Sequence, residues 1–292
     1  MRNLFIQSLV EKAEKNKKIV LVVGDLGFGV VEPFRDRFPD RFYNAGVAEQ
    51  SMMGIASGLA LEGFHVFVYS IANFPTFRCA EQIRNDVDYH KLSVTIVSVG
   101  SGLGYGNLGY SHHGIQDYAL IRSFPNMIIA APSDNTELLG CLDFLYNNPQ
   151  PSFLRLDKSL NIKMANKIPT IKPGKWIFYK KKNSANILIS TGSTAEISKK
   201  ILIKNSDYSW CTIPMWGMKS KSLQIKKLTK YKNVITVENH LQDGGFGSWL
   251  NESLVINGNL KNKVNIMSKF LDVNVIGQVG SEEYLSSRFG PK

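Results

Sequence analysis

The sequence predicts an α/β protein built as two three-layer domains, each a mostly parallel sheet flanked by helices. Short β-branched runs alternate with longer amphipathic or small-residue stretches, which is the pattern of βαβ units. The alternation stops after Leu156 and restarts at Asn186, so two units are expected rather than one. A length of 292 residues suits two domains of ~100 to 200 residues each.

In chain order, a helix is expected over 3–17, where apolar residues recur at helical spacing, before the strand IVLVV (19–23). The strands RFYNA (41–45), HVFVYS (65–70), SVTIVSV (93–99), MIIAA (127–131) and SFLRL (152–156) follow. Helices over 48–61, 78–90, 116–123 and 135–147 separate them, the last opened by Ser133, Asp134 and Asn135, residue types that cap helix starts. These elements form a first unit over 1–157. Residues 158–185 hold two prolines and a lysine run and read as a linker. The second unit, 186–292, runs through NILIS, a helix in STAEISKKILIK, then WCTIP, the strand VITVE (234–238) and a glycine-rich turn (243–247) that leads into a helix.

Composition excludes several classes. The hydrophobic share is 43% and the charged share 20%, as in soluble globular proteins, and the longest apolar runs are strand-sized, so no membrane-spanning helix is expected. The N-terminus has no long apolar stretch ending in a cleavage site, which points to the cytoplasm. Cys79, Cys141 and Cys211 are widely spaced and form no CxxC, against a disulfide framework or a cysteine-rich zinc site. Net charge is −2 over residues 1–156 and +13 over the remainder, giving the total of +11. The basic excess reads as a solvated lysine-rich face, with nucleic acid or an acidic partner protein as the rival.

The densest chemical signal is Asn44 to Ala60, NAGVAEQSMMGIASGLA. Gly54 and Gly58, with Ala56 and Ala60, leave one helix face almost bare and open to close packing. Glu49 falls in the first helical turn, where a carboxylate is ordinarily an exposed end-of-helix charge. Further signals are Val23-Gly24-Asp25-Leu26 after the first strand, Phe74 to Arg84 (FPTFRCAEQIR), and Gly109-Tyr110-Ser111-His112-His113-Gly114 followed by SFPNMIIAAPSDNTE. Asp25 lies just past a strand end, on the ligand side of an α/β sheet. Phe74 and Phe77, three apart, are either core or the wall of a site. The loop from Gly100 to Gly114 is so rich in glycine that neither histidine is expected in the core; metal ligation is the rival role, without a carboxylate or third histidine at ligand spacing.

Taken in order, these four motifs resemble the thiamine-diphosphate enzymes of the transketolase and deoxyxylulose-phosphate-synthase group, over most of residues 1–160. The resemblance implies that Glu49 shares a proton with N1′ of the cofactor's aminopyrimidine ring, a role suited to a carboxyl in a water-poor place. It implies that Phe74 and Phe77 wall that ring, with Asp25 and Leu26 on the cofactor side, and that His112 assists proton transfers at the substrate oxygen. No GDG motif with a following asparagine is present, so Mg2+ and the diphosphate are expected on a separately encoded N-terminal subunit, in an α2β2 assembly. The chain would then be the C-terminal subunit of a split transketolase, transferring a two-carbon ketol unit between sugars or sugar phosphates, with half of a deoxyxylulose-phosphate synthase or of a 2-oxoacid dehydrogenase, or a non-catalytic basic nucleic-acid-binding protein of the same fold, as alternatives. Arg2 and Arg155 fall on the family's two phosphate-gripping arginines. Its histidine, serine and aspartate positions hold Gly100, Gly29 and Leu108, which implies an acceptor less dependent on a terminal phosphate.

Overall fold

In the computed structural model, which describes residues 1–255 and 264–291, both expected sheets are present. The first unit runs α1 (Arg2–Lys15), β1 (Ile19–Val23), α2 (Glu32–Arg37), β2 (Phe42–Asn44), α3 (Glu49–Leu61), β3 (His65–Ile71), α4 (Ala80–Gln82), β4 (Val94–Val99), α5 (Asp117–Ile121), β5 (Ile128–Ala130), α6 (Asn135–Asn147) and β6 (Ser152–Leu156). The second runs β7 (Ile177–Lys180), β8 (Asn186–Ser190), α7 (Ala195–Lys204), β9 (Ser209–Thr212), β10 (Met215–Trp216), α8 (Ile225–Leu228), β11 (Asn233–Val237), α9 (Phe246–Val255), β12 (Asn265–Lys269) and α10 (Glu282–Phe289).

The first sheet has the order β10-β5-β6-β4-β3-β1-β2, all parallel except β10. All five residues of β1 are buried because a central parallel strand is covered on both faces. Its side chains divide with the strand period of two: Val20 and Val22 meet Met52, Met53 and Ala56 of α3, while Ile19, Leu21 and Val23 join Phe5 and Leu9 of α1 and Leu138 and Leu142 of α6. The second sheet has the order β12-β11-β8-β9-β7, with α7 on one face. Its other face, through Ile187, Ile189 and Val234, joins the α3-side core by way of Trp216, Phe246 and Trp249.

Three expectations change. Residues 177–180 are not linker: they pair antiparallel with β9, and their intermediate and exposed positions gave no buried-strand pattern to read. The two-residue strand β10 crosses back to pair with β5 of the first sheet, so the units share a core rather than meeting at a spacer. The helix expected over 78–90 starts as a 3₁₀ turn, becomes α4, and widens into a π-helix at Ile83–Asp88, carrying Asp88 inward to accept the Asn126 amide at 2.9 Å.

Candidate active site

Because β1, β3, β4 and β6 are parallel neighbours, the segments leaving their carboxyl ends gather along one edge, where open α/β sheets bind ligands. After β1, Asp25 adopts the left-handed conformation (φ 54°), held by Asn44 at the end of β2: Asp25 N donates to Asn44 Oδ1 at 2.9 Å and Asn44 Nδ2 returns to Asp25 Oδ1 at 3.0 Å. A Cβ added at Gly24 would lie 3.3 Å from Met52 Sδ and 3.9 Å from Glu49 Cγ, so β1 ends against the start of α3. Leu26 is half-buried and packs on the α1-side core.

Glu49, the first residue of α3, is only 5% exposed. Its backbone carbonyl accepts the Cys79 thiol at 3.1 Å, and burial together with the Glu49 charge pushes that thiol up to about 12, leaving it a proton donor. The carboxyl is not in a purely apolar setting. Arg78 Nη1 donates to Glu49 Oε1 at 2.8 Å, and the same guanidinium lies 3.9 Å over the Phe74 ring. Arg78 was missed by the sequence reading; its signal was a cation four residues after Phe74, one helical turn on within the same motif.

His112 meets Phe74 edge to face at 5.0 Å, and Ser111 Oγ lies 2.9 Å from its Nδ1. Burial lowers the imidazole's pKa, with the charges of Arg78 and His113 adding to the effect. Arg78 thus links Glu49, Phe74 and His112 in one cluster. Tyr105 lies 6.3 Å from His112 between ring centroids, and its ring carries the Lys158 ammonium 4.6 Å above it. Lys158 was also missed, although a lysine two residues beyond a strand end on the ligand edge was legible.

Three expected residues have surroundings that the sequence did not indicate. Phe77 is 46% exposed and lines a cleft of about 890 Å³ with Gln116, Leu241 and Val273. Arg155 is no substrate ligand. It lies in a strand flanked by β4 and β5, fully enclosed, with its donors committed to Asp117 (2.6 Å), Tyr118 (3.3 Å), the Asn239 carbonyl (3.2 Å) and side chain, and the Gly114 carbonyl. His113, expected outside the core, is 1% exposed; Gly106 O is 3.3 Å from its Nε2, and Asn73 holds its carbonyl at 2.8 Å. The Gly54 and Gly58 face is open, with nothing within 4 Å of a Cβ at either position.

Known proteins resemble this chain over most of its length. The family model described as transketolase, pyrimidine binding domain, matches residues 1–162. An apulose-4-phosphate transketolase subunit of Actinobacillus succinogenes is 30% identical over 88% of this chain and 84% of its own length. A putative transketolase C-terminal section of Methanocaldococcus jannaschii is 32% identical over 99% and 92%. The 1-deoxy-D-xylulose-5-phosphate synthase of Halothermothrix orenii is 31% identical over 84% of this chain, which spans 39% of that longer protein. Among solved structures, one described as a split gene transketolase, inactive beta4 tetramer, superposes with a TM-score of 0.83 at 26% identity, covering all of this chain and 93% of that one. A family model over more than half the sequence and relatives matched nearly end to end lead to one conclusion: the chain belongs to the transketolase family and is a transketolase-like subunit.

Proposed function

We propose that this chain forms the pyrimidine-binding half of a two-subunit, thiamine-diphosphate-dependent enzyme that moves a two-carbon ketol unit between sugars or sugar phosphates. The observation that carries the reading is the convergence of Glu49, Phe74 and His112 around Arg78 on the ligand edge of the sheet. The residues present fit the pyrimidine half of the cofactor: a buried carboxyl, an aromatic face beside it, and a cleft of about 420 Å³ between Val47, Glu49, Ser51 and Arg78. Thiamine diphosphate, when bound, supplies the nucleophilic carbon that takes up the ketol unit.

Glu49 holds the proton shared with ring N1′, and Phe74 presents the face on which the ring stacks. His112, its pKa lowered below the ordinary value by burial, is neutral at pH 7 and can take the proton of a substrate hydroxyl. Asp25 stays near the carboxyl through the close approach of Gly24 to Glu49. Lys158 stands over Tyr105, whose ring is 6.3 Å from that of His112, and with Arg2 it would hold an acceptor's anionic end through charge-assisted bonds.

Among the described residues no group of three His, Cys, Asp or Glu side chains could hold a metal ion. We assign Mg2+ and the diphosphate to an N-terminal partner subunit, and the α2β2 contact to the open Gly54 and Gly58 face of α3. The description of the split-gene relative as an inactive β4 tetramer supports dependence on a partner. No helix among the described residues is long and apolar enough to cross a membrane. The family membership does not favour nucleic acid as the ligand of the basic second unit. Titration with thiamine diphosphate and Mg2+ tests the reading: tight binding is expected only after the partner is added, and a chain that binds and turns over alone would contradict it.

A further inference from the structure

His112 rides on a short 3₁₀ turn, Tyr110–His112, that starts at Gly109 (φ 78°). The turn's backbone bonds, His112 N to Gly109 O at 3.0 Å and His113 N to Tyr110 O at 3.2 Å, stay within the glycine loop. A single turn of this kind holds its side chains loosely unless something outside it takes hold. Asn73, at the end of β3, does so. Its Nδ2 donates to the carbonyls on both sides of His112, Ser111 O at 3.4 Å and His113 O at 2.8 Å. Two carbonyl acceptors require the NH₂ end of the amide there. Asn73 Oδ1 is left buried with no hydrogen-bond partner among the described residues. The chain reaches Asn73 through Ala72 in the left-handed region (φ 36°), pinned by Ala72 N to Val99 O at 2.8 Å and by Ser98 Oγ donating to Ala72 O at 2.9 Å. An unmatched buried acceptor and a left-handed alanine both cost stability. The fold tolerates both at the one residue that clasps His112.

Resting on the functional reading above, we infer that Asn73 is a positioning residue: its amide clasps the backbone on either side of His112 and so fixes the imidazole for proton transfer at the substrate. The same bonds hold Ser111, whose Oγ lies 2.9 Å from His112 Nδ1, and keep the imidazole against Phe74 at 5.0 Å between rings. Asn73 also precedes Phe74 and accepts Phe77 N at 3.0 Å, so the histidine loop and the Phe74 motif are tied through one residue. Displacing a proton-transfer group by ~1 Å can cost roughly 10²-fold in rate, which is the scale on which such a clasp matters.

The test is Asn73→Leu, similar in size and without the amide, in the assembled two-subunit complex, assayed with xylulose 5-phosphate as donor and ribose 5-phosphate or ribose as acceptor. The kcat for transfer is expected to fall roughly 10- to 100-fold with KM changed less than about threefold. Hydrogen-to-deuterium exchange at C2 of thiamine diphosphate, which depends on Glu49, should stay within about twofold of wild type. In a His112→Ala background, Asn73→Leu should lower transfer by less than about twofold further, because the residue acts through that histidine. Asn73→Asp keeps the shape and loses the donors; it should reproduce these effects and supplies the same readings if Asn73→Leu does not fold. A kcat within about twofold of wild type in a folded variant, an equal loss with and without His112, or failure of both variants to fold would overturn this inference alone. A wild-type complex that transfers to neither acceptor would overturn the functional reading, and this inference with it.

Discussion

Arg78 and Arg155 are the same residue type in the same unit, and they are used in opposite ways. Arg155 is enclosed in a central strand, its carboxylate Asp117 is equally buried, and every guanidinium nitrogen is committed within the protein. Arg78 is 47% exposed, makes one bond to Glu49, and rests on an aromatic face. A saturated arginine holds structure, because nothing is left to bind a ligand and removal strands a buried carboxylate. A half-satisfied one at a cleft is available to chemistry. Asp117 Oδ1 and His240 Nε2, 4.0 Å apart and otherwise without partners, mark the one incomplete corner of the Arg155 network among the described residues. Burial lowers His240 to about 4, so it enters that corner neutral.

This contrast can be broken most forcefully at Arg155. Arg155→Met should cost about 3 to 5 kcal/mol, since Asp117 loses its cation in the interior, and chemical denaturation of the purified chain reads it directly. The equivalent change Arg78→Met should cost about 1 kcal/mol or less, because its ion pair is half-exposed; equal losses at the two sites would erase the distinction. Catalysis should invert the order. His112→Ala should leave the melting temperature near wild type while ketol transfer by the assembled complex falls roughly 10² to 10⁴-fold; transfer within a few-fold of wild type would remove the histidine from the mechanism.

A smaller effect separates the site from the seam between the units. Glu137 accepts Ser133 N at 2.7 Å, Tyr179 at 2.8 Å and the Thr212 hydroxyl, joining α6 to β7 and β9, and burial raises it to about 7. Glu238 accepts the Phe246 and Gly247 amides at the start of α9 and is raised by burial to about 8. Both carboxyls hold protons in the folded chain that the unfolded chain has released above its lower pKa. Their stabilisation is therefore fully present below the unfolded value and is lost as pH rises through about 7 and 8. The melting temperature should decline from pH 6.5 to 8.5, and a flat profile over that interval would show that these groups do not titrate in the seam.

Much of the fold was legible because parallel strands buried on both faces write continuous apolar runs: IVLVV and SFLRL match β1 and β6 at both ends. The same logic should have placed Arg155 inside, since an arginine within such a run has nowhere to go but the core. Strands β7 and β10 were not legible, one because it lies half-exposed at a sheet edge and the other because two residues carry no period. Within the site, Glu49, Phe74 and His112 came from motifs, but their meeting depends on how β1, β3 and β4 align. Arg78, an exposed cation within one of those motifs, took its place in the site from what it touches: the Glu49 carboxyl and the Phe74 ring.

The central claim is that the open arginine cluster, and not the buried one, holds the cofactor's pyrimidine through Glu49. Hydrogen-to-deuterium exchange at C2 of thiamine diphosphate, measured on the assembled complex, tests it most directly. Glu49→Gln should keep the fold and much of the cofactor binding while slowing exchange by roughly 10² or more. Exchange at the wild-type rate in a folded, cofactor-binding Glu49→Gln complex would contradict the assignment.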